Sequence, residues 1–230
     1  MKKIIISGAS RGLGKDLAEY LSKKYTVLTF ARNDATFDSS NIIHISGIDV
    51  RQNDYYNRLS DYLKDADGLI NNVGMAYDGI LATQGLENIE NMIDVNLLSV
   101  ISLTKNYVRF RMQQRKSGNI VTISSIISIR GFSGLAVYSA TKGALNSFTK
   151  SLAREMGSKK FRINAVLPGY FESDLSKSLP ESRKQQIIRR TPLGRLATTA
   201  DICPIVEFLL SEKSRFITGQ LIAVDGGLTV

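Results

Sequence analysis

Residues 4–14 read IIISGASRGLG, three isoleucines running into a turn that holds Gly8, Gly12 and Gly14. Leu13, Leu17 and Leu21 then recur every four residues, the mark of a helix with one buried face. A short β-rich run, a glycine turn and a helix start in that order form a recognisable physical unit. Glycine permits the tight turn and the close approach of backbone to a pyrophosphate, which rests on the partial positive charge of the helix N-terminus.

Outward from this unit the same alternation repeats. Apolar runs at Ile4–Ser7, Thr26–Ala31, Ile42–Ser46, Gly68–Asn71, Asn119–Ser124, Arg162–Leu167 and Leu221–Val224 predict strands buried on both faces. Helical patterns are expected at 12–24, 51–64, 90–115, 137–157 and 199–211. Strands alternating with helices predict an α/β fold, a Rossmann-type doubly wound parallel sheet with helices on both faces. No linker or repeat divides the chain, so residues 1–230 are expected to form a single domain. The least regular stretch, about 170–196, predicts a mobile substrate flap with a short helix inside.

The bulk numbers exclude several classes. Of 230 residues, 43% are apolar and 22% charged, and no run approaches the roughly 18 apolar residues of a membrane span, so a soluble protein is expected. MKKIIISGAS is too short in apolar residues for a signal peptide, and the single Cys203 allows no intramolecular disulfide, which fits a reducing compartment, so the expected location is cytoplasmic. Cys203 before Pro204 and the single His44 in the third strand read as packing residues, and no ligand cluster suggests a metal. The net charge of +9 implies anionic partners, yet the cations are dispersed without interleaved stacking aromatics, which argues against nucleic acid.

The tyrosine–lysine spacing in YSATKGAL (138–145) also occurs at Tyr20 and Lys24, and about 0.6 such pairs are expected by chance. Context separates them. Tyr138 has Ser125 thirteen positions before it at a strand end, and Lys142 lies one helical turn later on the same face. Tyr20 sits between Leu17 and Leu21 on the buried stripe, with Lys24 closing that helix near its C-terminal dipole.

The G-x-x-x-G-x-G turn, together with GIDV (47–50), NNVG (71–74), DVNLLSV (94–100), the Ser125/Tyr138/Lys142 spacing, LPGYFESD (167–174) and FITGQLIAVDGG (216–227), resembles the short-chain dehydrogenase/reductase family over essentially the whole chain. The resemblance implies cofactor contacts from Ser7, Gly8, Ser10, Arg11, Gly12, Leu13 and Gly14. Asp49 is implied at the adenine amino group and Val50 on its ring. Asn72, Gly74, Pro168, Gly169 and Ser173 complete the implied set with Tyr138 and Lys142. The family's catalytic group maps to Asn96, Ser125, Tyr138 and Lys142.

The chemistry accounts for these residue types. Hydride delivery to a carbonyl carbon leaves charge on oxygen, which Ser125 would hold and Tyr138 would protonate. A free phenol ionises near 10, so a neighbouring Lys142 ammonium is expected to lower it, and in the family it also binds the nicotinamide ribose. Asn96 is implied to hold a water joining the lysine to solvent. Where NAD-specific members carry Asp at the end of the second strand, this chain has Ala31 followed by Arg32. With Arg11 in the turn, these cations suit a 2′-phosphate and point to NADP(H).

The motifs are most similar to those of 3-oxoacyl-acyl-carrier-protein reductases, implying an acidic acyl carrier protein as partner and a homotetramer. Candidate docking cations are Arg115, Lys116, Lys159, Lys160, Arg162, Arg189 and Arg190. Relatives acting on sugars, polyols and other ketones share the motifs, so the substrate stays open. A regulatory dinucleotide sensor would have no reason to keep Ser125, Tyr138 and Lys142 together.

Overall fold

The computed structural model describes residues 1–52, 55–171 and 180–230. Seven strands, β1 (Lys3–Ser7), β2 (Thr26–Phe30), β3 (Ile42–Ile45), β4 (Gly68–Asn71), β5 (Asn119–Ile123), β6 (Arg162–Pro168) and β7 (Leu221–Val224), form one sheet in the order β3-β2-β1-β4-β5-β6-β7. Every pairing is parallel. The described helices are α1 (Gly12–Leu21), α2 (Ser60–Asp65), α3 (Leu86–Ile93), α4 (Ser99–Gln113), α5 (Ala136–Met156), α6 (Glu181–Arg190) and α7 (Thr199–Leu210).

Period-two alternation decides which layer each strand residue serves. In β1, Ile4 and Ile6 pack with Leu13, Leu17 and Leu21 of α1 and Ile202, Val206 and Leu209 of α7. Ile5 points the other way, to Leu63 of α2, Leu103 and Tyr107 of α4 and Met156 of α5. Each fully buried leucine contributes roughly 1.5–3 kcal/mol, so both faces of the sheet must stay covered. This is the doubly wound arrangement the strand pattern predicts.

The differences lie at element ends. The first helix stops at Leu21, and Lys24 beyond it reaches Glu207 at 2.5 Å instead of closing α1. Tyr20 packs against the α1–α7 core as its position on the stripe predicts. The 51–64 pattern resolves into a 3₁₀ turn at Tyr55–Leu59 and then α2. The helix expected at 90–115 begins earlier, at Leu86, and is split by a widened π-type turn over Asp94–Leu98.

Of the irregular 170–196 stretch, α6 is the expected short helix, and most of what precedes it lies outside the described residues. Cys203 is buried in α7, with its thiol pushed up to about 12 by burial, as a packing residue should be. His44 bonds the Thr29 hydroxyl at 2.7 Å and the Asn33 carbonyl at 3.0 Å, which settles it as a β2–β3 tie. No described helix is long and apolar enough to cross a membrane.

Candidate active site at the switch point

The chain winds outward in opposite directions from β1 and β4, and in such sheets ligands bind beyond the strand C-termini at that reversal. Ser7 ends β1 there. Its Oγ accepts from the backbone N–H groups of Asn72 at 3.0 Å and Val73 at 3.2 Å, and donates to the Ile70 carbonyl at 3.4 Å. The Asn72 amide donates to the carbonyls of Ser7 at 3.2 Å and Gly8 at 2.8 Å. Ser7 and Asn72 thus lock the glycine turn to the end of β4, a task the sequence did not distinguish from direct ligand contact.

Gly8 and Gly12 have φ of +71° and +55°, in the left-handed region that favours glycine. A Cβ on Gly14 would lie 2.3 Å from the Gly8 carbonyl oxygen and 2.5 Å from Asn72 Nδ2. At Gly12 the same test meets nothing within 4 Å, so its side opens outward. Ser10 is half-buried, Arg11 is exposed at the N-cap of α1, and Leu13 faces the core. A turn with small residues, open space and a helix N-terminus fits a pyrophosphate. Gly14→Ala is expected to lower stability by roughly 1–3 kcal/mol, read as a fall in thermal midpoint, with weaker dinucleotide binding.

Around this cradle, Arg32 is exposed just past β2 and lies near enough to Asp49 to favour its charged form. Asp49 is held by Arg51, whose Nη2 donates at 2.7 Å and whose backbone N–H donates at 3.0 Å, and the side-chain bond holds the carboxyl below its ordinary range. Arg51 also reaches Asn91 of α3 at 3.0 Å. Any adenine contact by Asp49 therefore shares that carboxylate with Arg51, a neighbour that belongs to none of the motifs. Val50 packs on the α2–α4 core. Pro168 ends β6, and a Cβ on Gly169 would lie 2.8 Å from Asp225 Cα, so that turn needs glycine for close approach. Ser173 lies outside the described residues.

The four expected catalytic residues meet below the cradle. Gly74 sits against two of them, since a Cβ at that position would lie 3.3 Å from Lys142 Nζ and 3.6 Å from Asn96 Oδ1. Asn96, fully buried in the π-type turn, accepts from the Met75 N–H and donates to the Met75 carbonyl, both at 2.8 Å, and donates to Thr141 Oγ1 at 3.2 Å. The amide braces the loop after β4 against α5.

Ser125 follows β5, with its Oγ accepting from the Ile127 N–H at 3.3 Å. Its hydroxyl lies near enough to the Tyr138 phenol of α5 to favour the phenolate. Ser124, the neighbouring serine, donates to the Lys142 carbonyl at 3.2 Å and so ties β5 to α5.

Burial pushes the Tyr138 phenol up to about 12, against a lowering by Ser125. Lys142 Nζ donates to the Ile123 carbonyl at 2.9 Å and stands 5.8 Å from the Tyr138 ring centre. Burial holds Lys142 down to about 8. Burial is the largest influence on both groups, and the phenol therefore stands above its ordinary value in this arrangement instead of below it. Tyr170 lies beside Tyr138 and raises it slightly. Tyr170 packs on Phe132, with ring centres 5.8 Å apart, and Arg183 of α6 stacks on Phe132 at 5.1 Å. Tyr170 belongs to the LPGYFESD stretch, whereas Phe132 and Arg183 carry no sequence motif and only the fold brings them to the site.

The candidate docking cations separate. Arg115, Lys116, Lys159 and Lys160 line one groove of about 600 Å³, but at the N-terminal ends of β5 and β6, opposite the site. Arg162 is tied to the carbonyls of Ser214 and Ser211, each at 3.0 Å. Arg189 and Arg190 are exposed in the last turn of α6. Among the described residues no three His, Cys, Asp or Glu side chains gather as a metal-ligand set.

A doubly wound parallel sheet with a glycine cradle at its switch point, and a serine, tyrosine and lysine gathered below it, defines a Rossmann-type oxidoreductase. A family model described as enoyl-(acyl carrier protein) reductase matches residues 8–229. The chain is 32% identical over 241 residues to 3-oxoacyl-[acyl-carrier-protein] reductase FabG of Chlamydia muridarum, covering 99% of this chain and 97% of that one. A short-chain dehydrogenase from Leptospira borgpetersenii solved with bound NAD+ superposes with a TM-score of 0.91 at 28% identity, over 100% of this chain and 93% of that chain. ElxO with NADP bound superposes at 0.88 and 30% identity, over 99% and 98%. The chain belongs to the short-chain dehydrogenase/reductase family.

Proposed function

We propose that the chain uses NADPH to reduce a 3-oxoacyl thioester, carried on acyl carrier protein, to the 3-hydroxyacyl product. The observation that carries this reading is the meeting of Ser125, Tyr138 and Lys142 below the glycine cradle. When bound, the nicotinamide supplies hydride to the carbonyl carbon. Ser125, whose oxygen already accepts from Ile127, donates its own hydrogen to the substrate oxygen. Tyr138 donates a second hydrogen bond and then its proton to that oxygen as charge builds there. The phenolate that results as the proton leaves is balanced by Lys142 in its ammonium form, whose Nζ stands 5.8 Å from the ring centre. Asn96 keeps the loop carrying Gly74 and Met75 at the right distance from α5.

Solved relatives hold NAD+ in one case and NADP in another, so support for NADPH comes from this chain's own residues. Ala31 leaves no carboxylate to repel a 2′-phosphate, and Arg32 and Arg11 provide cations near it. Arg32→Asp is expected to lower the preference for NADPH over NADH by about 10- to 100-fold, the worth of one or two charge-assisted hydrogen bonds. Unchanged relative kcat/KM for the two coenzymes would remove the assignment.

For the substrate, support comes from the resemblance to 3-oxoacyl reductases and from two cations at the site rim. Arg130 and Arg183 both act electrostatically on Tyr170, which neighbours Tyr138. An acidic carrier approaching Tyr138 would meet them. The direct test is NADPH oxidation with acetoacetyl thioesters, free and carrier-bound, beside sugars and simple ketones. Arg183→Glu should raise KM for the carrier-bound substrate by about tenfold and leave KM for the free thioester unchanged. Activity on sugars alone, with none on any 3-oxoacyl thioester, overturns the substrate.

A further inference from the structure

We propose that Asn146 is a positioning residue for Ser125, acting through Ser128; the role rests on the reductase reading above. Helix α5 carries Tyr138, Lys142 and Asn146 at four-residue intervals, so the three share one face. Each reaches the segment that follows β5. Tyr138 meets Ser125, Lys142 holds the Ile123 carbonyl, and Asn146 Nδ2 donates to Ser128 Oγ at 2.7 Å. Ser128 passes the contact on, because its Oγ donates to the Ser125 carbonyl and its N–H donates to the same oxygen at 3.0 Å. Ser125 is therefore gripped from behind at its carbonyl while its side chain faces Tyr138.

This grip matters because Ser125 stands in a turn and not in a strand. Its backbone is extended and it caps a single 3₁₀ turn, Ile126–Ser128, whose internal bonds alone are weak. Asn146 comes from a 21-residue helix packed on both β6 and that turn, which is a far stiffer support. The pairing also explains why a polar side chain is kept there. Asn146 is 6% exposed and its Oδ1 has no hydrogen-bond partner, so the position carries a standing penalty an apolar residue would avoid. Ser139 Oγ, bonded to the Ile127 carbonyl at 2.8 Å, fixes the middle of the same turn and leaves Ser128 as the link to Ser125.

The test combines kinetics with hydrogen exchange. Asn146→Leu and Ser128→Ala should each lower kcat by about 5- to 20-fold with the dissociation constant for NADPH unchanged, and the double variant should lose no more than the worse single one. Ser128→Thr, which keeps the hydroxyl, should restore most of the rate. Independently of activity, the Ser128 amide should exchange at least about tenfold faster in both single variants, while the Val121 amide inside β5 keeps its rate. Unchanged exchange at Ser128, or losses in kcat that multiply in the double variant, overturns the relay. Ser128→Ala removes only one oxygen from a half-buried turn, so it still decides the matter if Asn146→Leu folds poorly. Faster Ser128 exchange in a protein that reduces no carbonyl would support the relay and reject the reductase reading, so the two fail separately.

Discussion

Tyr138→Phe is expected to lower carbonyl reduction by about 10³-fold while dinucleotide affinity stays within about twofold. The substitution removes one oxygen and keeps the ring, which packs, as Phe132, Leu135 and Tyr170 do, against the cluster of Ile126, Ile127, Leu167 and Leu228. Fold and cradle should therefore persist, and the loss should fall on kcat. The reason is chemical: the oxygen that gains charge during reduction has two donors available, Ser125 and Tyr138, and of a phenol and an aliphatic hydroxyl the phenol is the stronger acid, with Lys142 Nζ 5.8 Å from its ring centre to balance the charge left behind. Single-turnover measurements with a saturating coenzyme separate the two effects. A variant that turns over at more than a tenth of the parental rate would refute Tyr138 as the proton donor. So would equal losses in coenzyme binding and kcat, since they would mean the phenol mainly orients the cofactor.

Much of this site is legible in the sequence because its parts are local. The glycine turn, the Ser125 to Tyr138 spacing and the Tyr138 to Lys142 step each fall within one or two elements, and burial on both faces gives continuous apolar runs that mark β1, β2, β4, β5 and β6, while the edge strands β3 and β7 are only partly buried and are marked by their apolar residues alone. What escapes depends on longer or weaker signals. The π-type turn that inserts Asn96 widens a helix by about one residue, too little to disturb an apolar period read over 26 positions. The pattern through residue 24 suggests a longer first helix because Lys24 suits a C-terminal dipole, yet its partner is Glu207, 183 positions away. Arg183 reaches the rim only once α6 folds over Phe132.

Chain direction corrects what charge alone suggests about a carrier surface. Arg115, Lys116, Lys159 and Lys160 precede β5 and β6, and residues that precede strands of a parallel sheet lie at the end opposite the switch-point crevice. Their positive charge suits an acidic partner, but their place before the strands moves them away from the active site. Arg183, which follows β6, is the position that direction favours.

Lys142→Met is expected to change stability in a way that depends on pH and to lower activity by at least about 10²-fold. Lys142 is 3% exposed, and burial holds its ammonium down to about 8 from 10.5. The unfolded chain keeps its proton up to the higher value and the folded chain only up to the lower. Between them the unfolded state binds more protons, so this group's share of stability rises with pH, and its full penalty is present below about 8. The gap corresponds to about 3 kcal/mol.

Methionine fills similar volume without that penalty but leaves the Ile123 carbonyl without its donor, an offset of about 1–3 kcal/mol that does not vary with pH. Urea unfolding of both proteins at several pH values should therefore give a difference that favours the variant most near pH 7 and declines by about 3 kcal/mol toward pH 10.5. Other groups that titrate in this window cancel in the difference. A flat difference would mean that Lys142 is as hydrated as a surface lysine, and its charge would then act only weakly on a phenolate whose ring centre is 5.8 Å away. The same desolvation that destabilises the folded chain is what makes the ammonium effective, so a lysine that weakens the fold and cannot be replaced without losing turnover is the behaviour expected of a charge held in place to balance the Tyr138 phenolate.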